Sequence, residues 1–180
     1  MINYLLSGIK YIKLKMFSRN IKCYGIPVID YHSIIESKDG YIELGHKMST
    51  RSNVRIHANE GGKISIGSLV FFNYNCIVVC KGNVKIGDGT VFGPNVSIFD
   101  HNHKYSINGV SSEMSVGSVI IGEKCWIGAG STILKGSVIG DVCIIGAGTI
   151  ISGNIPSHSI VTMDRELVIK PIENRNTNMV

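Results

Sequence analysis

The chain has 180 residues, of which 44% are hydrophobic and only 17% charged, with a formal net charge of +5; this is enough apolar side chain for one continuous core and too much for a disordered polymer. No apolar run reaches the roughly eighteen residues of a membrane-spanning helix, and the N-terminal stretch lacks the apolar core and cleavage site of a signal peptide. Five cysteines, an odd number without a CxxC pair, argue against a disulfide framework or zinc ribbon and fit reduced core thiols, which points to the cytoplasm.

Residues 1–22 contain Lys10, Lys13, Lys15, Arg19 and Lys22 and no acid, so the whole net charge sits there. Leu5, Ile9, Ile12 and Met16 recur at helical spacing, which predicts a basic amphipathic helix within an N-terminal segment 1–25. Two roles stand open for it. It can cap the end of the array that follows, as terminal repeats require. It can also attach the protein peripherally to an anionic membrane surface or a membrane-bound complex, at the inner face of the membrane. Nucleic acid is not expected as a partner, because no aromatic-plus-basic groove accompanies the charge.

From residue 26 onward the governing signal is a period of six. Ile121, Ile127, Ile133, Ile139, Ile145 and Ile151 keep it without a slip; Ile86, Phe92 and Ile98, then Ile66, Phe72 and Val78, and more loosely Leu44, Thr50 and Ile56, keep it upstream. That period suits neither an amphipathic helix nor an alternating strand, but it suits a solenoid whose wall turns a corner every six residues. The fifth residue of each block is small or β-branched, as at Val70, Cys76, Thr90, Val96, Cys125, Ser131, Ser137, Cys143 and Thr149. One large and one small residue per block fit the tapering interior of a three-sided prism. The expected fold is therefore all-β, a parallel β-helix of about five coils over residues 26–156.

The breaks in the period fall around Glu60-Gly61-Gly62 and Lys81-Gly82-Asn83, as corner bulges, and from about Phe99 to Gly117, where seventeen residues are added beyond one block. A solenoid accommodates the last only as an extended loop, 99–117, thrown outward from a corner, where function concentrates. It carries Asp100-His101-Asn102-His103. Residues 157–180 form a C-terminal extension whose last ten residues are polar and Asn-rich.

The repeats, the Asp-His-Asn-His loop and the later CWIGAG and IGAGTI segments resemble the hexapeptide-repeat acyltransferases, within them the maltose/galactoside O-acetyltransferase-like branch that includes capsule and lipopolysaccharide acetyltransferases. The likeness covers about residues 40–156. It implies a left-handed parallel β-helix, a homotrimer of prisms side by side, and acetyl-CoA as donor in the crevice between subunits, with a saccharide as acceptor and no metal.

Acetyl transfer to a sugar hydroxyl needs a base for an alcohol that does not ionise at neutral pH, and a neutral imidazole serves. The family's catalytic histidine lies seven residues after a valine in a GPNV-type segment, which from Val96 leads to His103; His101 is the second choice. The resemblance places Asn73, and less strongly Asn75, on the acceptor side, although both also suit a turn ladder within the coils. Asp100 is a further acceptor-side residue that can alternatively orient a histidine tautomer. Trp126, the only tryptophan, is expected at an outward-facing corner and maps beside the pantetheine arm, where it can also be plain surface packing. Gly128, Ala129, Gly146 and Ala147 map to the path of that arm, and the Ala129 N–H to an oxyanion donor. Lys81 stands where the family often has an acid, which suits an acidic sugar. The segment that usually meets the adenine end is here Val161-Thr162-Met163-Asp164-Arg165, with Lys170 able to reach a phosphate. The same scaffold also fits N-acetylation of an aminosugar or sugar nucleotide, or a noncatalytic or metal-binding repeat protein.

Overall fold

A computed structural model describes residues 7–12, 18–107 and 109–163. Three parallel sheets form the faces of a triangular prism, a left-handed parallel β-helix. Face A contains Ile21–Cys23, Tyr41–Leu44, Lys63–Ile66, Asn83–Ile86, Ser118–Ile121, Val138–Ile139 and Asn154–Ile155. Face B contains Ser49–Thr50, Phe71–Phe72, Val91–Phe92, Trp126–Ile127, Ile144–Ile145 and Ile160–Val161. Face C contains Ile34–Ser37, Arg55–Ala58, Ile77–Cys80, Ser97–Phe99, Thr132–Ile133 and Ile150–Ile151. Each coil runs A to B to C, and every strand pairs in parallel with its equivalents above and below.

The six-residue ruler marks the interior. Phe72, Phe92, Ile98, Ile121, Ile127, Ile133, Ile139 and Ile145 are all buried, and the Phe72 and Phe92 rings stack at 4.6 Å between centroids. The small residues of each block do more than fit the taper. Thr90 Oγ1 donates to Gly122 O at 2.8 Å and Ser131 Oγ to Gly146 O at 3.0 Å, while the thiols of Cys76, Cys125 and Cys143 reach Gly93 O, Gly140 O and Pro156 O at 3.2, 3.1 and 3.2 Å. They are buried donors for corner carbonyls of the next coil, which would otherwise be desolvated without a partner.

The solenoid is longer than the six-residue spacing indicates. It opens at Ile21–Cys23, paired with Tyr41–Leu44, and closes at Ile160–Val161, giving six coils rather than five. Cys23, Ile29 and Ile35 line the additional coil, but the corner at Lys38-Asp39-Gly40 lengthens the step from Ile35 to Leu44, the counterpart of Cys23 on the next coil, and hides the repeat.

At the N-terminus residues 7–12 are helical; Leu5 and Met16 lie outside the described residues. The expected apolar seat is reversed over this turn. Ser7 is buried and its Oγ accepts from Ile29 N at 2.9 Å, and Lys10 Nζ donates to the carbonyls of Asp30 (3.2 Å), Tyr31 (2.8 Å) and Ser33. Ile9 and Ile12 remain exposed. Corner carbonyls at an open coil end attract an ammonium more strongly than an aliphatic side chain.

All the breaks in the period land on one edge, where face C passes to face A. There Gly40, Gly62, Gly82 and Gly117 stack in a column: a Cβ on Gly62 would lie 2.6 Å from Cys80 O, and one on Gly82 2.5 Å from Gly117 O. The column brings successive corners into backbone contact, and the extended segment leaves from its top.

Candidate active site

Residues 99–117 are not an irregular loop. His101–Ser106 and Gly109–Val116 form an antiparallel hairpin, with His101 opposite Val116 and His103 opposite Met114. Alternation along a strand puts His101 and His103 on the same side of it, with Asn102 on the other. His103 is exposed, and its Nδ1 lies 3.2 Å from Ser111 O. A carbonyl only accepts, so this contact requires the proton on Nδ1 and leaves Nε2 with its lone pair. His101 is less accessible, its side chain 13% exposed, and its Nδ1 lies 2.8 Å from Asp100 Oδ1.

Asp100 anchors the hairpin. It is fully buried at the C–A edge, where Oδ1 also accepts from Lys81 N at 3.0 Å and Oδ2 accepts from Gly82 N at 2.8 Å and from the Cys80 thiol at 3.1 Å. Burial alone would raise this carboxyl, but the bonds from Lys81 N, His101, Cys80 and Gly82 N outweigh it and hold it below the usual carboxylate range. Burial and then the Asp100 charge push the Cys80 thiol upward, so it remains a donor. With both oxygens occupied and no exposed surface, the Asp100 carboxylate is turned toward His101 and the coil below, and offers no free oxygen to an acceptor. Its own carbonyl takes Gly117 N at 2.8 Å, closing the base of the hairpin.

Lys81 also differs from expectation. Its ammonium is paired with Glu60 and its side chain is only 14% exposed, so the positive charge at this corner is already balanced within the chain. Spacing alone gave no sign of this pair, nor of Lys135, which donates to Ser115 Oγ at 2.6 Å and lays its stem against Gly117. Lys135 could have been suspected as a long cationic side chain one coil beyond the insertion.

The remaining site residues gather on another edge, where face B passes to face C. Asn53, Asn75 and Asn95 form a ladder there, with Asn53 Nδ2 3.3 Å from Asn75 Oδ1 and Asn75 Nδ2 3.2 Å from Asn95 Oδ1, each backbone left-handed. Asn75 thus has a structural role. Asn73 Oδ1 accepts from Tyr74 N at 2.9 Å, which leaves its amide nitrogen toward the half-exposed surface. Further along the edge, Ala129 and Ala147 are exposed one coil apart, bridged by Gly148 N donating to Ala129 O at 2.7 Å. A Cβ on Gly128 would lie 2.6 Å from Ala147 N, so glycine is what lets these corners stack. Trp126 is not at a corner: it lies on face B, 56% exposed, in register between Val91 and Ile144. Lys170 is outside the described residues.

The candidate residues fall into two groups. The imidazoles leave the C–A edge; Asn73, Gly128, Ala129, Gly146 and Ala147 line the B–C edge, with face C between them.

Residues 118–153 match the family described as bacterial transferase hexapeptide (six repeats). Nodulation protein L of Rhizobium leguminosarum bv. viciae is 40% identical over 81 residues, which are 44% of this chain and 43% of the relative, so the chain spans less than half the length of that protein. Galactoside O-acetyltransferase of Escherichia coli is 34% identical over 125 residues, 67% of this chain and 60% of the relative. The crystal structure of a maltose O-acetyltransferase from Clostridium difficile superimposes with a TM-score of 0.60 at 32% identity, covering 72% of this chain and 69% of that one.

Proposed function

This chain belongs to the hexapeptide-repeat acyltransferases, and from that membership we propose that it transfers an acetyl group from acetyl-CoA to a saccharide hydroxyl, in the synthesis of a capsular or other surface polysaccharide. The observation that carries this reading is His103, exposed on the hairpin with Nδ1 against the Ser111 carbonyl and Nε2 open.

In this reading Nε2 removes the acceptor hydroxyl proton as the oxygen attacks the thioester carbonyl. The tetrahedral intermediate carries its negative charge on the former carbonyl oxygen, facing the Ala129 N–H. Its collapse breaks the carbon–sulfur bond, and the imidazolium returns the proton to the departing thiolate. Asn73 bonds an acceptor hydroxyl, Trp126 walls the thioester from water, and the Gly128, Ala129, Gly146 and Ala147 corners, with nothing larger than a methyl group, leave room for the pantetheine arm. A thioester is already activated, so the step asks for no metal. Because Lys81 is balanced by Glu60, this reading favours a neutral over an acidic acceptor.

The two groups of candidate residues lie on different edges of one prism, so in this reading the C–A edge of one copy faces the B–C edge of another. A heterologous contact of this kind closes in a ring, and a homotrimer of parallel prisms would complete three equal sites.

The test is thiol release from acetyl-CoA by the full chain against a panel of sugars, with mass analysis of the product and its lability to mild base. An O-acetyl sugar whose formation needs His103 supports the proposal. Full turnover by His103→Ala would overturn the base, and a base-stable product formed only from aminosugars would move the assignment to N-acetylation.

A further inference from the structure

The hairpin has little of its own to keep it in place. Along its two strands only His101, Ser111, Met114 and Ser115 are half-buried, and the other positions are exposed. A two-stranded ribbon is at best marginally stable in water, so its direction relative to the prism is decided where it joins the coils.

That joint is held from two levels. From below, Asp100 bonds His101 Nδ1 while its oxygens accept from Lys81 N and Gly82 N. From above, Leu134-Lys135-Gly136 turns the same C–A corner, tied to the hairpin's exit by Gly136 N donating to Ser118 O at 2.8 Å. Lys135 reaches over the base of the hairpin, and its Nζ donates to Ser115 Oγ at 2.6 Å. Gly117 leaves the path open, since a Cβ there would lie 2.7 Å from Lys135 Cγ and 3.3 Å from Cδ. Lys63, Lys81 and Lys104 each pair with an acid. The Ser115 hydroxyl is the one polar partner of the Lys135 ammonium among the described residues, and a bond from an ammonium is of the stronger, charge-assisted kind.

The two holds act on opposite sides of the ribbon. Ser115 is opposite Asn102, whereas His101 is opposite Val116 and His103 opposite Met114. Paired residues share a side and sides alternate along a strand, so Ser115 lies on the side away from both imidazoles. A ribbon tied on one side can swing about its base; tied on both, it cannot. Ser115 is one pair from His103, and the register shifts only beyond that, between His103 and Tyr105. The regular ladder therefore carries the hold as far as His103.

We infer that Lys135 is a positioning residue: through Ser115 it fixes the direction of the hairpin, and with it the place of His103 Nε2, without touching the reacting atoms. The inference rests on the reading of His103 as the base.

The experiment pairs hydrogen exchange of the full-length protein without substrate, followed on peptides from 99–117, with steady-state kinetics. Lys135→Met keeps the stem beside Gly117 and removes the ammonium. It is expected to speed exchange in the hairpin by about tenfold. It should also lower kcat by about ten- to a hundredfold while changing the KM for acetyl-CoA by less than about twofold, and Lys135→Arg should restore both readouts. Ser115→Ala is the second variant, expected to match Lys135→Met, with the double variant no worse than either single one. Unchanged exchange in both single variants overturns the inference, as do additive losses in the double variant or a lowered thermal midpoint with kcat unaltered. Faster exchange in Lys135→Met together with full turnover by His103→Ala overturns the base and leaves the hold standing, which separates the two failures.

Discussion

Asp100 and His101, adjacent in the chain, bond side chain to side chain at 2.8 Å across the point where the hairpin leaves the solenoid. The same carboxylate holds Lys81 N and Gly82 N from the coil below. A single buried charge thus ties the hairpin to the scaffold, and its removal should affect both stability and geometry.

Asp100→Asn replaces one acceptor oxygen with a donor facing N–H groups, which should destabilise the protein by about 1–3 kcal/mol and lower kcat more than the KM for acetyl-CoA. The carboxyl is held below its unfolded value of about 3.9, so its contribution is complete above about pH 4 and is lost as pH falls through the folded value. The gap in unfolding free energy between wild type and Asp100→Asn should be constant near neutral pH and shrink below about pH 4. Urea unfolding across that range measures it.

His103→Ala should reduce kcat by about 10² to 10⁴ with little change in thermal midpoint, since His103 is exposed. His101→Ala should cost less in kcat but lower the midpoint, because it leaves Asp100 buried with one fewer donor. Equal kinetic effects with no stability difference would contradict the separate roles of the two rings.

Trp126, the only tryptophan and 56% exposed, is a built-in probe. Its emission should be that of a hydrated indole without donor and should shift to the blue when acetyl-CoA is added. Trp126→Ala should raise the KM for acetyl-CoA by about tenfold, the worth of a partly buried aromatic contact. No spectral response to saturating donor would remove Trp126 from the site.

Two glycines on the C–A edge should respond differently to alanine. Gly82→Ala places a Cβ 2.5 Å from Gly117 O and 2.6 Å from Val116 Cγ1, so it should destabilise by about 1–3 kcal/mol and displace the hairpin, lowering activity. At Gly61 the added Cβ meets nothing within 4 Å, and only the positive φ of 80° opposes it. Gly61→Ala should cost about 1 kcal/mol and leave kcat intact.

Burial pushes the Cys76 thiol up to about 11, well above the value of about 8.5 for an exposed cysteine. A raised acid stabilises the fold fully below the unfolded value, and the contribution declines as pH rises toward the folded one. Unfolding free energy should therefore fall between about pH 8.5 and 11, and Cys76 should resist thiol reagents in the folded protein at pH 8. Replacing Cys76 with Ser should flatten that alkaline decline.

Much of the fold was legible because a hexad writes its geometry directly into sequence: Ile121 to Ile151 point inward since nothing else satisfies a six-residue period. The first coil was not, because its lengthened corner at Lys38-Asp39-Gly40 breaks the phase while Cys23, Ile29 and Ile35 still pack. Among the candidate residues, His101 and His103 stand out because they lie in the one large interruption, and only the family resemblance prefers His103. The Lys81–Glu60 pair could not, because those two residues meet only after stacking of adjacent coils. The seat of the N-terminal turn was likewise unreadable: helical spacing shows which residues share a side, and the carbonyls exposed at a coil end decide which side faces in.

The sequence by itself determined the repeat, the interior, and the place where the repeat opens to carry two histidines, since these follow from periodicity along one chain. Only the tertiary structure decided that the inserted segment is a hairpin held by a buried Asp100, that every interruption stacks on one edge, and that Trp126 and the small B–C corners lie on other parts of the prism. Those are relations between residues about a coil apart or more, and they arise when the chain is wound on itself.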